Sequence, residues 1–312
     1  MPRVHLKQID LKVLASDDPM KIIILGGKGQ LGSDCTKVLK ETHDVMSVDL
    51  DELDITDVSQ VEAVVRDFSA DVIVNCAAFT RVDDCETEKD LACKVNIEGP
   101  SNLAVVAKKD GSRLIHISTD YVFDGRKRVP APYTEKDDPN PGSYYGVTKL
   151  AAEEAIRKIT DNHIILRTAW MYGIQGQNFL KTMLTLALKD PQREIKIVND
   201  QFGSPTWSYR LALQIAKLIE SGGNGTFHAT SEGYCTWYEL ATHFLGKMGV
   251  PHSFVPCTTE EYPTPAVRPI NSILENKRLK DTGINLMQGW KSDLDEFVSK
   301  FRDRLINETR EA

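Results

Sequence analysis

Tyr145 and Lys149 stand four residues apart in the stretch 143–149, SYYGVTK. If the chain is helical from about Tyr145, that spacing puts both side chains on one face. A phenol titrates near ~10 and exchanges its proton poorly at neutral pH. A nearby ammonium favours the phenolate and makes the phenol a better acid. Tyr144 has Thr148 at the same offset, which brings no charge. Of the two tyrosines only Tyr145 is therefore a candidate proton donor. A stacked aromatic and a surface lysine at an ordinary helix start would carry the same letters.

Upstream, HISTDYVFDG (116–125) follows an apolar run and ends in a turn. Ser118 and Thr119 then sit at the carboxyl end of a parallel strand, where open α/β sheets bind ligands. A hydroxyl there can hydrogen-bond a substrate carbonyl and steady the developing oxyanion. Together with Tyr145 and Lys149 it completes a set of groups for carbonyl reduction. GGKGQLG (26–32) supplies the companion feature. Gly26, Gly29 and Gly32 fit one glycine frame, and Gly27, Gly29 and Gly32 an overlapping one. Both let backbone N–H groups at a helix start approach a pyrophosphate. Asp49, ending the second apolar run, suits the ribose hydroxyls of NADH, whereas Lys28 suits the 2′-phosphate of NADPH. The expected cofactor is accordingly NADPH or NADH.

These groups need a scaffold, and the rest of the chain spells one. KIIIL (21–25), DVMSVD (44–49), DVIVNCA (71–77), RLIHIS (113–118) and NHIILRT (162–168) read as buried strands. Their nearly uniform apolar character suits parallel strands covered on both faces. Segments 32–41, 57–68 and 93–109 carry helical periodicity between them. Strand–helix alternation predicts right-handed βαβ units in an α/β, Rossmann-type, doubly wound parallel sheet. Beyond Thr168 the spacing turns irregular and richer in proline, with GTFHATSEG (225–233) as one more strand and 293–305 as an amphipathic closing helix. The expected domains are an N-terminal extension at 1–19 and a dinucleotide-binding core at 20–169, re-entered at about 195–232. Residues 170–194 and 233–312 are the expected smaller, discontinuous substrate lobe.

Composition excludes several classes. The 312 residues carry a formal net charge of −7 with the two signs interspersed, so no basic footprint for nucleic acid is present. No apolar run approaches the ~20 residues of a membrane helix, and 1–19 lack the apolar centre of a signal peptide. The six cysteines form no C-x-x-C pair and the seven histidines no metal-binding pattern. Free thiols, no metal and a cytoplasmic setting are expected.

The segments GGKGQLG, DELDITD (51–57), VNCAAFTRVDDCE (74–86), ISTDYVFDG, YYGVTKLAAEE (144–154), ILRTAWMYG (165–173), NDQFGSPTW (199–207) and RPINSIL (268–274) carry a resemblance. With them the chain resembles the extended short-chain dehydrogenase/reductase superfamily, and within it the dTDP-4-dehydrorhamnose reductases. The likeness runs from Met20 to about Trp290. It departs from superfamily habit at Leu25, where a threonine often precedes the first glycine.

The resemblance implies reduction of the C4 ketone of dTDP-4-dehydro-β-L-rhamnose to dTDP-L-rhamnose, with a dTDP-linked 4-keto-6-deoxysugar as ligand and a homodimer as a compatible assembly. It implies Thr119 as catalytic hydroxyl, Tyr145 as proton donor and Lys149 as the residue on the nicotinamide ribose. Gln30 and Leu31 would join the glycine loop on the cofactor, with Asp54 and Ile55 at its adenine. Ala77, Ala78, Thr80, Asn96 and Ser118 would complete that wall. Thr80, Thr119, Asp120, Tyr145, Trp170 and Arg268 would meet the sugar nucleotide, Arg268 at its pyrophosphate. Two other readings share the motifs: reduction of another nucleotide ketosugar, including to the talose epimer, and a non-catalytic regulatory subunit of methionine adenosyltransferase.

Overall fold

The computed structural model describes residues 18–311. Of the expected extension at 1–19, only Asp18 and Pro19 fall within them. The principal strands are β1 (Lys21–Leu25), β2 (Asp44–Val48), β3 (Val72–Asn75), β4 (Arg113–Thr119), β5 (His163–Thr168), β6 (Glu194–Val198), β7 (Gly225–His228) and β8 (Ser253–Cys257). The principal helices are α1 (Gln30–Leu39), α2 (Val58–Phe68), α3 (Gly99–Asp110), α4 (Tyr144–Ile159), α5 (Phe179–Lys189), α6 (Ser208–Glu220), α7 (Trp237–Met248) and α8 (Trp290–Glu311).

Six strands form one sheet in the order β7-β5-β4-β3-β1-β2, and every pairing in it is parallel. This is the doubly wound α/β architecture the apolar runs predict. After β1 the chain adds β2 on one side and then β3 on the other, so its direction of winding reverses beside β1. The glycine loop leaves β1 and the Ala77–Ala78 turn leaves β3, which places both at that switch point. Alternation along β1 divides the core. Ile22 and Ile24 pack with Leu31, Cys35 and Val38 of α1 and Leu211 and Ile215 of α6. Ile23 and Leu25 pack on the opposite face with Val61 of α2, Leu103 of α3 and Ile156 of α4.

The segment at 93–109 is not one continuous helix. Lys89–Cys93 is α-helical, Lys94–Glu98 widens into a π-turn, and α3 begins at Gly99. Pro100 explains the break, because its ring collides with the carbonyl four residues back and it offers no N–H to that acceptor. The widened turn carries Asn96.

In the second half β6 stands outside the central sheet and pairs with β8. The chain rejoins the core through α6 and β7. The smaller lobe closes around Leu180 and Leu184 of α5, Phe244 of α7, Phe297 of α8 and Trp207. Arg210 of α6 reaches across to Asp293 of α8 at 3.0 Å and ties lobe to core.

One buried carboxylate locks α4 onto the sheet. Glu153 accepts from Ser118 Oγ of β4 at 2.6 Å and from Arg167 of β5 at 2.9 and 2.7 Å. Arg157, one turn along α4, adds a bond at 2.6 Å. Burial opposes the charge, but Arg167 overcomes it and the net shift holds the carboxyl below its usual range. Replacing Glu153 by Ala strands the Arg167 guanidinium in the core. The expected loss is about 3–5 kcal/mol of stability, read as a lower midpoint in urea unfolding followed by circular dichroism.

Candidate active site

A cavity of about 1050 Å³ opens along the carboxyl ends of the strands, between sheet and lobe. Gly26, Lys28, Gly29, Gln30, Leu31, Gly32, Asp49, Asp54, Ile55, Ala77, Ala78 and Thr80 line it. So do Ser118, Thr119, Asp120, Tyr145, Lys149, Trp170 and Arg268. Asn96 and Gly27, among the residues singled out, are not on its wall.

The glycine loop is shaped by contact. Gly26 has a φ of +73°, and a Cβ on Gly32 would lie 2.1 Å from the Gly26 carbonyl oxygen. Only bare backbone lets α1 start this close to β1. Gly29, preceding α1, gives no side-chain cap, so the N–H groups of the first turn remain for an anion. Asp49 spends both carboxylate oxygens on the turn, accepting from the N–H groups of Lys28 at 2.8 Å and Leu50 at 2.9 Å. The Lys28 ammonium pairs with Asp51 at 2.6 Å, in the open, with side chains 63% and 67% exposed. Asp54 accepts from Thr56 N–H at 2.9 Å and Oγ1 at 2.8 Å, which fixes the bend presenting Ile55.

Asn96 works behind the wall. Its Oδ1 accepts from Phe79 N–H at 2.8 Å, and its Nδ2 donates to the Phe79 carbonyl at 3.0 Å and to Thr148 Oγ1 at 3.2 Å. It therefore clamps the loop bearing Ala77, Ala78 and Thr80 to α4, with no donor or acceptor turned to the cleft.

Strand alternation separates Ser118 from Thr119. Ser118 turns its hydroxyl into the core, onto Glu153. Thr119 stays with the cleft, where its Oγ1 accepts from Tyr121 N–H at 3.2 Å and donates to Asp120 Oδ1 at 2.9 Å. Ser143 caps α4 by accepting from Gly146 N–H at 3.2 Å, which sets the register that buries Tyr145 and Lys149 together. Tyr144 leaves the cleft and meets Cys93 Sγ through its hydroxyl at 3.0 Å.

Electrostatics here differ from what the spacing alone predicts. Burial, then the Asp120 charge, push the Tyr145 phenol up, and a hydrogen bond from Thr119 only partly offsets them. Asp120 is itself raised to about 6 by burial. Lys149 is brought down to about 8, again by burial. Its Nζ donates to the Ile117 carbonyl at 2.7 Å and faces His116 Nε2 at 3.3 Å. The ammonium expected to assist the phenol is thus directed at β4 and is only weakly favoured.

On the lobe side Trp170 holds a φ of +46°, a left-handed backbone that costs a non-glycine residue of order 1–3 kcal/mol. Its indole stacks on Trp237 at 3.6 Å between centroids, and a Cβ at Gly203 would lie 2.4 Å from it. Arg268 donates to Asp83 Oδ2 at 2.7 Å and to the Tyr121 hydroxyl at 3.1 Å, so its charge is already paired at the cleft edge.

The family model described as RmlD substrate binding domain matches residues 20–303. A dTDP-4-dehydrorhamnose reductase of Burkholderia thailandensis is 38% identical over 285 residues, covering 86% of this chain and 94% of that protein. The chain belongs to the dTDP-4-dehydrorhamnose reductase family. Among solved structures, the reductase of Clostridium acetobutylicum is 43% identical with a TM-score of 0.87, covering 91% of this chain and all of that one. The Bacillus anthracis reductase, solved in complex with NADP, is 38% identical at the same TM-score and coverage.

Within this family frame, the structure adds residues to the cleft that sequence reasoning did not single out. Trp237 had no signal, since a tryptophan in an amphipathic helix reads as packing. Gln201 and Tyr121 stood inside quoted segments, yet nothing in their spacing marked them. Gln201 Oε1 accepts from Trp237 Nε1 at 3.2 Å and so fixes the ring beneath Trp170. The steric reading of the glycine loop is directly testable. Gly32→Ala must displace the Gly26 carbonyl, and its affinity for a nicotinamide dinucleotide should fall about tenfold or more, roughly 1.4 kcal/mol or above, by calorimetric titration with the circular dichroism spectrum unchanged.

Proposed function

We propose that this chain reduces the C4 ketone of dTDP-4-dehydro-β-L-rhamnose to dTDP-L-rhamnose with NADPH or NADH. One observation carries the reading: the Thr119 hydroxyl and the Tyr145 phenol share the cleft with Lys149, beyond a glycine cradle that any Cβ at Gly32 would fill. The cradle and the open first turn of α1 suit a dinucleotide pyrophosphate. Asp49 and Lys28 stand side by side at the ribose end of that wall, which suits either cofactor. When bound, the nicotinamide supplies the hydride.

The chain's own residues supply position and proton. Tyr145 donates its phenolic proton to the ketone oxygen as negative charge develops there. Thr119, held by Tyr121 N–H, turns its hydroxyl from Asp120 to donate to the same oxygen. Lys149 returns the proton through the hydroxyls and water of the cleft. The raised phenol keeps Tyr145 protonated until the oxygen acquires charge, so the transfer belongs to the transition state rather than to the resting site. Trp170, backed by Trp237, offers a flat apolar face to the sugar.

In the same reading, residues 20–169 with the re-entrant α6 and β7 form the nucleotide-binding core, and 170–194 with 233–312 bring the sugar nucleotide. Among the described residues no helix is long and apolar enough to cross a membrane. The reading takes the protein to be cytoplasmic and allows a homodimer.

Oxidation of NADPH and of NADH, each offered with the dTDP-ketosugar, is the decisive assay. Tyr145→Phe should lose about 10²–10⁴ in turnover while keeping dinucleotide affinity within about twofold. Tyr144→Phe should remain within a few-fold of the parent, since its hydroxyl faces Cys93. Full turnover in Tyr145→Phe would refute the assignment. Proton NMR of the product separates rhamnose from its talose epimer.

A further inference from the structure

Behind Lys149 lies a buried polar chain. Asn75 at the end of β3 and His116 on β4 are partners in register, both fully enclosed. The backbone N–H of Ala77 is 3.1 Å from one terminal atom of the Asn75 amide. A backbone N–H only donates, so that atom is the amide oxygen and the other is the NH₂. The NH₂ stands 3.1 Å from His116 Nδ1, which must therefore accept. Burial pushes the imidazole well below its usual range, so His116 is neutral. A neutral imidazole that accepts at Nδ1 carries its proton on Nε2. Nε2 is the atom 3.3 Å from Lys149 Nζ. An N–H and an ammonium are both donors and cannot share a hydrogen bond. The contact closes only when Nζ is an amine that accepts from Nε2–H while donating to the Ile117 carbonyl.

We propose that Asn75 and His116 are positioning residues for Lys149: Asn75 fixes the His116 tautomer, and the Nε2–H so fixed stabilises the amine form of Nζ against the ammonium in the ligand-free protein. This rests on the functional reading only in taking Lys149 as a working residue. Other titratable groups around Nζ are Glu153, one turn on and engaged by Arg167, Arg157 and Ser118, Cys76 after β3, and Tyr145 on the same helix. Burial outweighs the favourable charge of Glu153. An amine with a matched proton affinity can take a proton and pass it on near neutrality, which an ordinary ammonium does poorly. The Asn75–His116 pair would thus set the readiness of the group that re-supplies Tyr145.

Ligand-free protein labelled with ¹⁵N-histidine tests this directly. Two-bond ¹H–¹⁵N correlation, assigned by the loss of one signal set in His116→Gln, should show the Nε2–H tautomer from about pH 6 to 9. An Nδ1–H tautomer would overturn the proposal. The ionisation of Lys149, followed through its ¹³Cε shift, should move upward by about one unit or more in His116→Phe, a tenfold rise in proton affinity. An unchanged value, which would mean that His116 favours neither form of Nζ, or a lowered one, which would mean that it accepts from the ammonium, would also overturn it. Should His116→Phe not fold, Asn75→Ala carries the same test, since losing the amide donor frees Nδ1 to hold the proton and Lys149 again titrates higher. None of these readings uses turnover, so they stand or fall apart from the dTDP-ketosugar assay.

Discussion

The whole site hangs on the Glu153 carboxylate. It gathers a hydroxyl from β4 and a guanidinium from β5 into one buried knot, with a second, partly exposed arginine from its own helix closing it from outside. Charged groups are taken out of water only where each has partners in good geometry, so the knot has one arrangement and admits little sliding. Lys149 and Tyr145 lie one and two turns upstream on the same helix. Their height over the strand ends is set by a residue that never faces the cleft. The Ser143 cap and the clamp of Asn96 onto Phe79 complete the fixing, one at the helix start and one across the cofactor wall.

Within that frame, burial governs the protonation states. It raises the phenol of Tyr145, raises Asp120 to about 6 and lowers Lys149 to about 8. Desolvation disfavours whichever form is charged, so the acids rise and the base falls. Asp120 and Lys149 are thereby brought closer in proton affinity than in water, whereas the Tyr145 phenol moves away from Lys149 and stays protonated in the resting cleft. The hydrogen bonds of Asn75 and His116 bear on where Nζ turns.

The lobe contributes by strain and stacking rather than by charge. Trp170 keeps an unfavourable backbone because Trp237 lies flat beneath it and glycine at 203 leaves it room. Arg268 is tied to Asp83 and Tyr121, so the cleft edge is preorganised and its charge is not free for a new partner without exchange.

The sequence by itself determined the sheet, the glycine loop and the choice between the two tyrosines. Uniform apolar runs alternating with helical periodicity read as strands buried on both faces, a glycine cluster after the first of them reads as a tight turn, and a four-residue offset on a helix puts Tyr145 and Lys149 on one face. Nearly every residue it singled out lines the cleft. The tertiary structure alone decided where hydrogen bonds go. Ser118 and Thr119 are indistinguishable as letters, yet strand alternation sends one to the core and the other to the cleft. Asn96 reads as a wall residue and proves to be a clamp behind it, because Pro100 widens the turn that carries it. The strand β6 joins β8 and not the central sheet, a pairing between distant segments that no local pattern encodes. Trp237, Asn75 and His116 carry no signal of their own, for their roles arise from neighbours many residues away. Periodicity and turn chemistry are local, whereas burial, tautomer and charge depend on what the fold brings within a few ångströms.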